Sequence, residues 1–161
     1  MQLKTLIANL LQRHPLLGML GHRLIRSVQA RFTAGAVGVI LNEKGQILLL
    51  KHVYRPRYLW GLPGGYVARH ENPADTVVRE LLEETGLRVR VEAPLLVERG
   101  IFRDHLDFAF LCAVVQGNND AMRLSSEILD YRWLRRDELP ELLGFQQRAV
   151  DLALTYREEH P

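Results

Sequence analysis

At 161 residues, 47% hydrophobic and 25% charged, with a formal net charge of +2, the chain has the length and composition of one folded domain, which excludes a disordered or fibrous protein. Its single cysteine, Cys112, excludes an internal disulfide and a cysteine-rich zinc site, and suits a reducing, cytoplasmic setting. No aspartate or glutamate precedes Glu43, whereas Lys4, Arg13, Arg23, Arg26 and Arg31 all do, so the first quarter is basic and the remainder net acidic.

Cations spread so thinly make a weak nucleic-acid footprint, and no nucleic-acid-reading motif accompanies them, so no specific nucleic acid is expected as a partner. Leu3, Leu6, Ile7, Leu10 and Leu11 recur at helical spacing as far as Pro15, and Leu20, Leu24, Ile25 and Val28 suit a second helix. The eight uncharged residues between Lys4 and Arg13 fall far short of the ~20 that a bilayer requires. Residues 1–31 are therefore expected to form a basic amphipathic helical extension. It would pack on the main domain, 32–161, or on a second copy in a homodimer, in preference to a membrane surface.

From Ala34 the pattern changes. Ala36, Val37, Val39, Ile40 and Leu41 form a β-rich run, residues 42–45 read as a turn, and residues 46–51 are again apolar, so a hairpin is expected. Trp60-Gly61-Leu62-Pro63-Gly64-Gly65 reads as a loop. Pro73 suits the first turn of a helix over 73–85, with Gly86 as its stop. Strands follow at 87–91, 106–115 and 128–134, and a closing helix at 145–157. The order predicts an α/β fold with a mixed sheet between helices. Cys112 falls in an apolar strand and is expected to be buried and inert.

At about 100° per residue, Val77, Val78, Leu81, Leu82 and Thr85 share one face of the helix over 73–85. Glu80, Glu83 and Glu84 lie on the opposite half with Arg79 beside them. Like charges four residues apart, as at Glu80 and Glu84, destabilise a helix by a few tenths of a kcal/mol, and a hard divalent cation relieves that repulsion. Mg²⁺ takes carboxylate oxygens and keeps waters and substrate phosphates in its other positions. A neighbouring carboxylate can then take a proton from an attacking water.

The longer string around these acids resembles the signature of the Nudix hydrolases. Gly65, Glu71 and Arg79-Glu80-Leu81-Leu82-Glu83-Glu84-Thr85-Gly86-Leu87 match Gly-x5-Glu-x7-Arg-Glu-U-x-Glu-Glu-x-Gly-U at every defined position, U being a bulky aliphatic. Trp60-Gly61-Leu62-Pro63-Gly64-Gly65 before it, and Tyr131-Arg132-Trp133-Leu134 leading to Asp137-Glu138-Leu139-Pro140 after it, are similar to the same family. The resemblance implies an α/β/α sandwich around a mixed sheet, with Mg²⁺ or Mn²⁺ as cofactor. The implied reaction is hydrolysis of a nucleoside diphosphate linked to a group X, giving a nucleoside monophosphate and phosphorylated X. X would be a sugar, a further phosphate or a second nucleotide.

Carried over by motif position, Glu83 and Glu84 would be metal ligands, and Glu80 a ligand or the general base. Gly64 would offer its backbone carbonyl to the metal, and Arg79 and Glu71 would orient the carboxylates. Glu127 is the leading candidate for a further carboxylate after the box, with Asp104 and Asp130 competing. Lys51, Arg55 and Arg57, before the glycine-rich loop, are candidate phosphate contacts. Tyr54, Tyr58 and Trp60 would stack on a base or pack the core. His14, His22, His52, His105 and His160 form no metal-ligand spacing in the sequence. The marks of the ADP-ribose, dinucleoside polyphosphate, NADH and coenzyme A subfamilies are missing, which leaves X open. A non-catalytic, nucleotide-sensing module of the same fold is the alternative. Such modules usually lose box carboxylates, and this box keeps them all.

Overall fold

The computed structural model describes Met19, Arg23 and residues 29–54, 59–115 and 122–160. The helices expected before residue 29 lie outside that description, as do Arg55, Arg57 and Tyr58. The chain divides at Phe32, and the architecture below is that of the unit Phe32–Pro161.

Among its described residues, seven strands and two helices follow one another: β1 (Thr33–Ile40), β2 (Ile47–His52), β3 (Trp60–Gly61), β4 (Gly64–Tyr66), α1 (Pro73–Thr85), β5 (Val89–Arg99), β6 (His105–Val114), β7 (Ile128–Leu134) and α2 (Gly144–Glu159), with a 3-10 turn at Arg136–Glu138 before α2. Strands β4-β1-β6-β5 form one sheet and β3-β2-β7 a second. The first sheet is mixed, because β1 runs parallel to β6, from Thr33 opposite His105 to Ile40 opposite Cys112, and antiparallel to β4.

The expected hairpin of β1 and β2 does not form. Its turn does: Gly45 N–H donates to Asn42 O (2.9 Å) and Asn42 N–H to Gln46 O (3.0 Å). Beyond a single bridge between Leu41 and Ile47, however, the strands part into different sheets. The reason is burial. Ile47, Leu48, Leu49 and Leu50 are all fully buried, so β2 needs cover on both faces. Each such side chain contributes about 1.5–3 kcal/mol when removed from water, which an exposed hairpin face would forfeit. Ile47 and Leu49 join Val39, Leu41, Ala149 and Val150 in a core under α2. Leu48 and Leu50 join Ala36, Ile40, Val77 and Leu81 in a core under α1. The result is the expected layering of helix, sheets and helix.

Two further differences have local causes. The segment 60–65, read as a loop, holds the short strands β3 and β4. Strand β5 runs to Arg99 and not to residue 91, despite Pro94. As the outer strand of its sheet it tolerates a proline, and its register slips at Val91/Ala93 and again at Pro94/Leu96. Arg148 of α2 donates through Nε to Glu98 Oε1 (2.8 Å), which fastens the helix to that edge and holds the Glu98 carboxyl below its ordinary pKa. Among the described residues, no helix is long and apolar enough to cross a membrane.

Candidate active site

Helix α1 begins where the sequence places it. The Asn72 side chain accepts the Ala74 N–H (3.3 Å), Pro73 opens the helix, and Gly86 closes it in the left-handed region (φ 74°). Its packed face is not the one drawn from the apolar residues alone. Thr76, Val77, Leu81, Glu84 and Thr85 are buried, while Leu82, expected on the buried face, is 48% exposed. On the angular scale above, the buried face is turned by roughly 50° toward the acids. Glu84 is thereby 7% exposed and points into the protein.

A buried carboxylate needs hydrogen-bond donors. Gly64 N–H donates to Glu84 Oε2 (3.1 Å), and His52 Nδ1 lies 3.9 Å from Glu84 Oε1. Gly64 has a φ of 144°, and a Cβ there would meet Ala36 O at 2.1 Å, so only glycine brings this N–H under Glu84. At Gly65 a Cβ would meet Glu80 Oε1 at 2.4 Å, so the bare backbone of β4 is the surface on which Glu80 lies.

Arg79 organises the remaining acids. Its Nε donates to Glu71 Oε1 (2.8 Å) and its Nη2 to Glu71 Oε2 (3.1 Å), a two-pronged pair of fixed geometry. Its Nη1 donates to Glu80 Oε1 (2.9 Å) and Glu83 Oε2 (3.2 Å). Glu71 also accepts from Ala68 N–H (2.9 Å) and the Thr76 hydroxyl (2.8 Å). The Arg79 hydrogen bonds, followed by those from Ala68 and Thr76, lower the Glu71 pKa to about 2. The same contact raises that of Arg79 further above its ordinary value.

Glu127 enters from the segment before β7. That segment is tied to the end of α1, because Arg123 N–H donates to Thr85 O (2.9 Å) and Ser125 N–H to Glu84 O (3.0 Å). It is tied to the end of β2 as well, because Val53 N–H donates to Glu127 O (2.9 Å). One cavity of about 630 Å³ results, lined by Glu80, Glu84, Glu127, Arg79, Gly64 and His52 among others.

Glu83, Glu71 and Lys51 are not among the described residues lining the cavity. Glu83 is exposed on the Arg79 side, and Lys51 lies on β2 opposite Asp130 and Trp60. Asp104 and Asp130 are not among its lining residues either. Trp60 packs against the α2 core with the Arg132 guanidinium 4.7 Å from its ring, whereas Tyr54 is exposed on the cavity wall. Cys112 is fully buried, and burial pushes its thiol up to about 12, which keeps it an unreactive thiol at neutral pH. His52 was not singled out by the sequence, since only the fold brings the end of β2 beside Glu84.

The donor chemistry fits a hard divalent cation. Among the described residues, three carboxylates, Glu80, Glu84 and Glu127, and one guanidinium, that of Arg79, line the cavity, and oxygen is the ligand such cations take. Among the described residues no group of three ligands stands already converged. Arg79 holds Glu80 and Glu83 to itself, and a bound cation would compete for them.

Comparison with known proteins identifies the family. The NUDIX domain family matches residues 31–153. A protein of Bacillus subtilis named as a putative 8-oxo-dGTP diphosphatase is 33% identical over 139 residues, covering 79% of this chain and 89% of its own. The crystal structure of a MutT NUDIX hydrolase from Burkholderia pseudomallei superposes with a TM-score of 0.63 at 26% identity, over 76% of this chain and 98% of that one. An ADP-ribose pyrophosphatase from Streptococcus suis does so with a TM-score of 0.62 at 25% identity, over 80% and 92%. With the signature intact and its Glu80 and Glu84 lining one cavity, the chain belongs to the Nudix hydrolases and is a hydrolase acting on acid anhydrides.

Proposed function

We propose that the protein hydrolyses the pyrophosphate bond of a nucleoside diphosphate linked to a group X, releasing a nucleoside monophosphate and phosphorylated X, with Mg²⁺ or Mn²⁺ as cofactor. The observation that carries this reading is the shared cavity of Glu80, Glu84 and Glu127. Glu84, the Gly64 carbonyl and Glu80, as a ligand or the general base, would hold the cation from the cavity wall in this reading, with Glu83, beside Arg79, as the remaining ligand. When bound, the cation polarises the phosphoanhydride oxygens and makes an attacking water more acidic.

The chain's own residues do the rest. Gly64 N–H donates to Oε2 of Glu84, and Oε1 faces His52 Nδ1 at 3.9 Å. Glu71 anchors Arg79, and Arg79 aims Glu80, so both act as positioning residues. Glu127, which makes no ion pair among the described residues, is placed to accept the proton of the water, with Glu80 as the other candidate base. Tyr54 is available to the nucleobase at the cavity wall, while Lys51, Arg55 and Arg57 remain candidate phosphate contacts. All of this is assigned to residues 32–161, with 1–31 as a separate extension.

The names of the relatives divide between an 8-oxo-dGTP diphosphatase and an ADP-ribose pyrophosphatase, that is, between a nucleoside triphosphate and a nucleotide sugar. A product-release assay over both classes and dinucleotides, with Mg²⁺ or Mn²⁺, tests the proposal. Turnover that a chelator abolishes supports it. Nucleotide binding with no turnover on any substrate supports the sensor module instead.

A further inference from the structure

One wall of the cavity carries an imidazole. His52 ends β2 with its side chain about nine-tenths buried, lines the same cavity as Glu80, Glu84 and Glu127, and directs Nδ1 toward Glu84 Oε1 at 3.9 Å. The two oxygens of Glu84 are used differently: Oε2 accepts from Gly64 N–H, and Oε1 is the one that faces His52. A separation of 3.9 Å exceeds the reach of a direct hydrogen bond, about 3.2 Å. Two ligand atoms each about 2.1 Å from one cation are about 3.0 Å apart when adjacent and about 4.2 Å when opposite, so this separation suits a cation lying between the two on nearly opposite sides.

The strand is shaped at this point as well. Pairing of β2 with β7 slips between Lys51 and His52, so that Lys51 faces Asp130 and His52 faces Ile128, with Leu129 left over. Bulges of this kind re-aim a side chain and are frequent beside active sites. The backbone N–H of His52 is held by Leu59 O (2.8 Å), which fixes the residue from the other side.

We infer that His52 is a ligand of the catalytic cation, so that the site is a mixed nitrogen and oxygen site selecting a first-row transition ion over Mg²⁺. The chemistry follows from ligand type. Mg²⁺ is bound through oxygen and gains little from an imidazole, whereas Co²⁺ and its neighbours bind imidazole nitrogen readily, with affinity rising along the first-row series. This rests on the reading of the cavity as a metal site and adds to it which metals the site prefers.

The test uses the full-length protein and the metals alone. In the Mn²⁺-loaded protein, electron spin echo envelope modulation should show coupling to a ¹⁴N nucleus, and His52→Gln should remove it. Calorimetric titration should find Co²⁺ bound about tenfold or more weakly by His52→Gln, with Mg²⁺ affinity changed less than about twofold. An unfolding curve for each variant checks that the fold is kept, and the wild-type spectrum decides the question if His52→Gln fails to fold. Mn²⁺ bound in the wild type without nitrogen coupling, or equal weakening of Co²⁺ and Mg²⁺ in the variant, would overturn the inference and leave His52 as an orienter of Glu84. Mn²⁺ binding untouched by Glu84→Gln would instead overturn the metal-site reading beneath it.

Discussion

Glu84 is a buried carboxylate on the cavity wall, so its replacement reads on the site more directly than on the surface. Gly64 N–H donates to its Oε2, and its Oε1 faces His52 Nδ1. Glu84→Gln keeps an acceptor for Gly64 and removes the charge. It should lower kcat by about 100-fold or more while the melting temperature stays within a few degrees, as steady-state kinetics and thermal unfolding would show. Glu71 acts differently, since it touches Arg79 and not the cavity. Its pKa is lowered from 4.5 to about 2, so the ionised form is favoured by folding. Its stabilising contribution is complete above pH 4.5 and is lost as the pH falls from there toward 2. Urea unfolding in the presence of a chelator should find a constant stability difference between wild type and Glu71→Gln above that range, and a shrinking one below it. A difference that vanished already at pH 6 would show that Glu71 is not held by Arg79.

Between elements, the closest approaches are made at glycines. A Cβ at Gly38 would meet Val77 Cγ1 at 2.8 Å, so β1 and α1 pack backbone against side chain there. Gly38→Ala should destabilise the fold by about 1–3 kcal/mol through overpacking, measurable by denaturant unfolding. Gly65→Ala would press on the Glu80 carboxylate, which has Arg79 on its other side. It should weaken cation binding in calorimetry several-fold with a smaller loss of stability. Elements with strong local signals were legible from the sequence: the capped helix from Pro73 to Gly86, the strand at Ile128–Leu134, and the signature residues themselves. Features set by burial across the chain were not. Leu82 counts as core by spacing yet faces solvent, because the helix turns to bury Glu84. The β1–β2 hairpin was misread because alternation within a fully apolar run does not show that both faces will be covered. His52 carries no motif, and its place beside Glu84 depends on the pairing of β2 with β7.

At the scale of the whole unit, β2 joins the two cores, with Ile47 and Leu49 in one and Leu48 and Leu50 in the other. Neither core can open without disturbing that strand. Residues 32–161 should therefore unfold in one transition, with calorimetric and van't Hoff enthalpies equal, and Leu49→Ala should cost about 2–5 kcal/mol while leaving the transition single. Two separate transitions would show that the cores are independent. The same architecture explains how acids from α1 and from the segment before β7 meet: Glu84 O and Thr85 O accept backbone N–H groups from that segment, and Val53 secures its other end.

These acids are proposed to hold a divalent cation that drives phosphoanhydride hydrolysis. The most direct measurement is product release from the nucleotide panel by the full-length protein, titrated with Mn²⁺ and with Mg²⁺, for wild type and Glu84→Gln. Turnover should rise with metal, disappear on chelation and fall about 100-fold or more in the variant. Turnover that persists in chelator, or that Glu84→Gln leaves at the wild-type rate, would contradict the proposal.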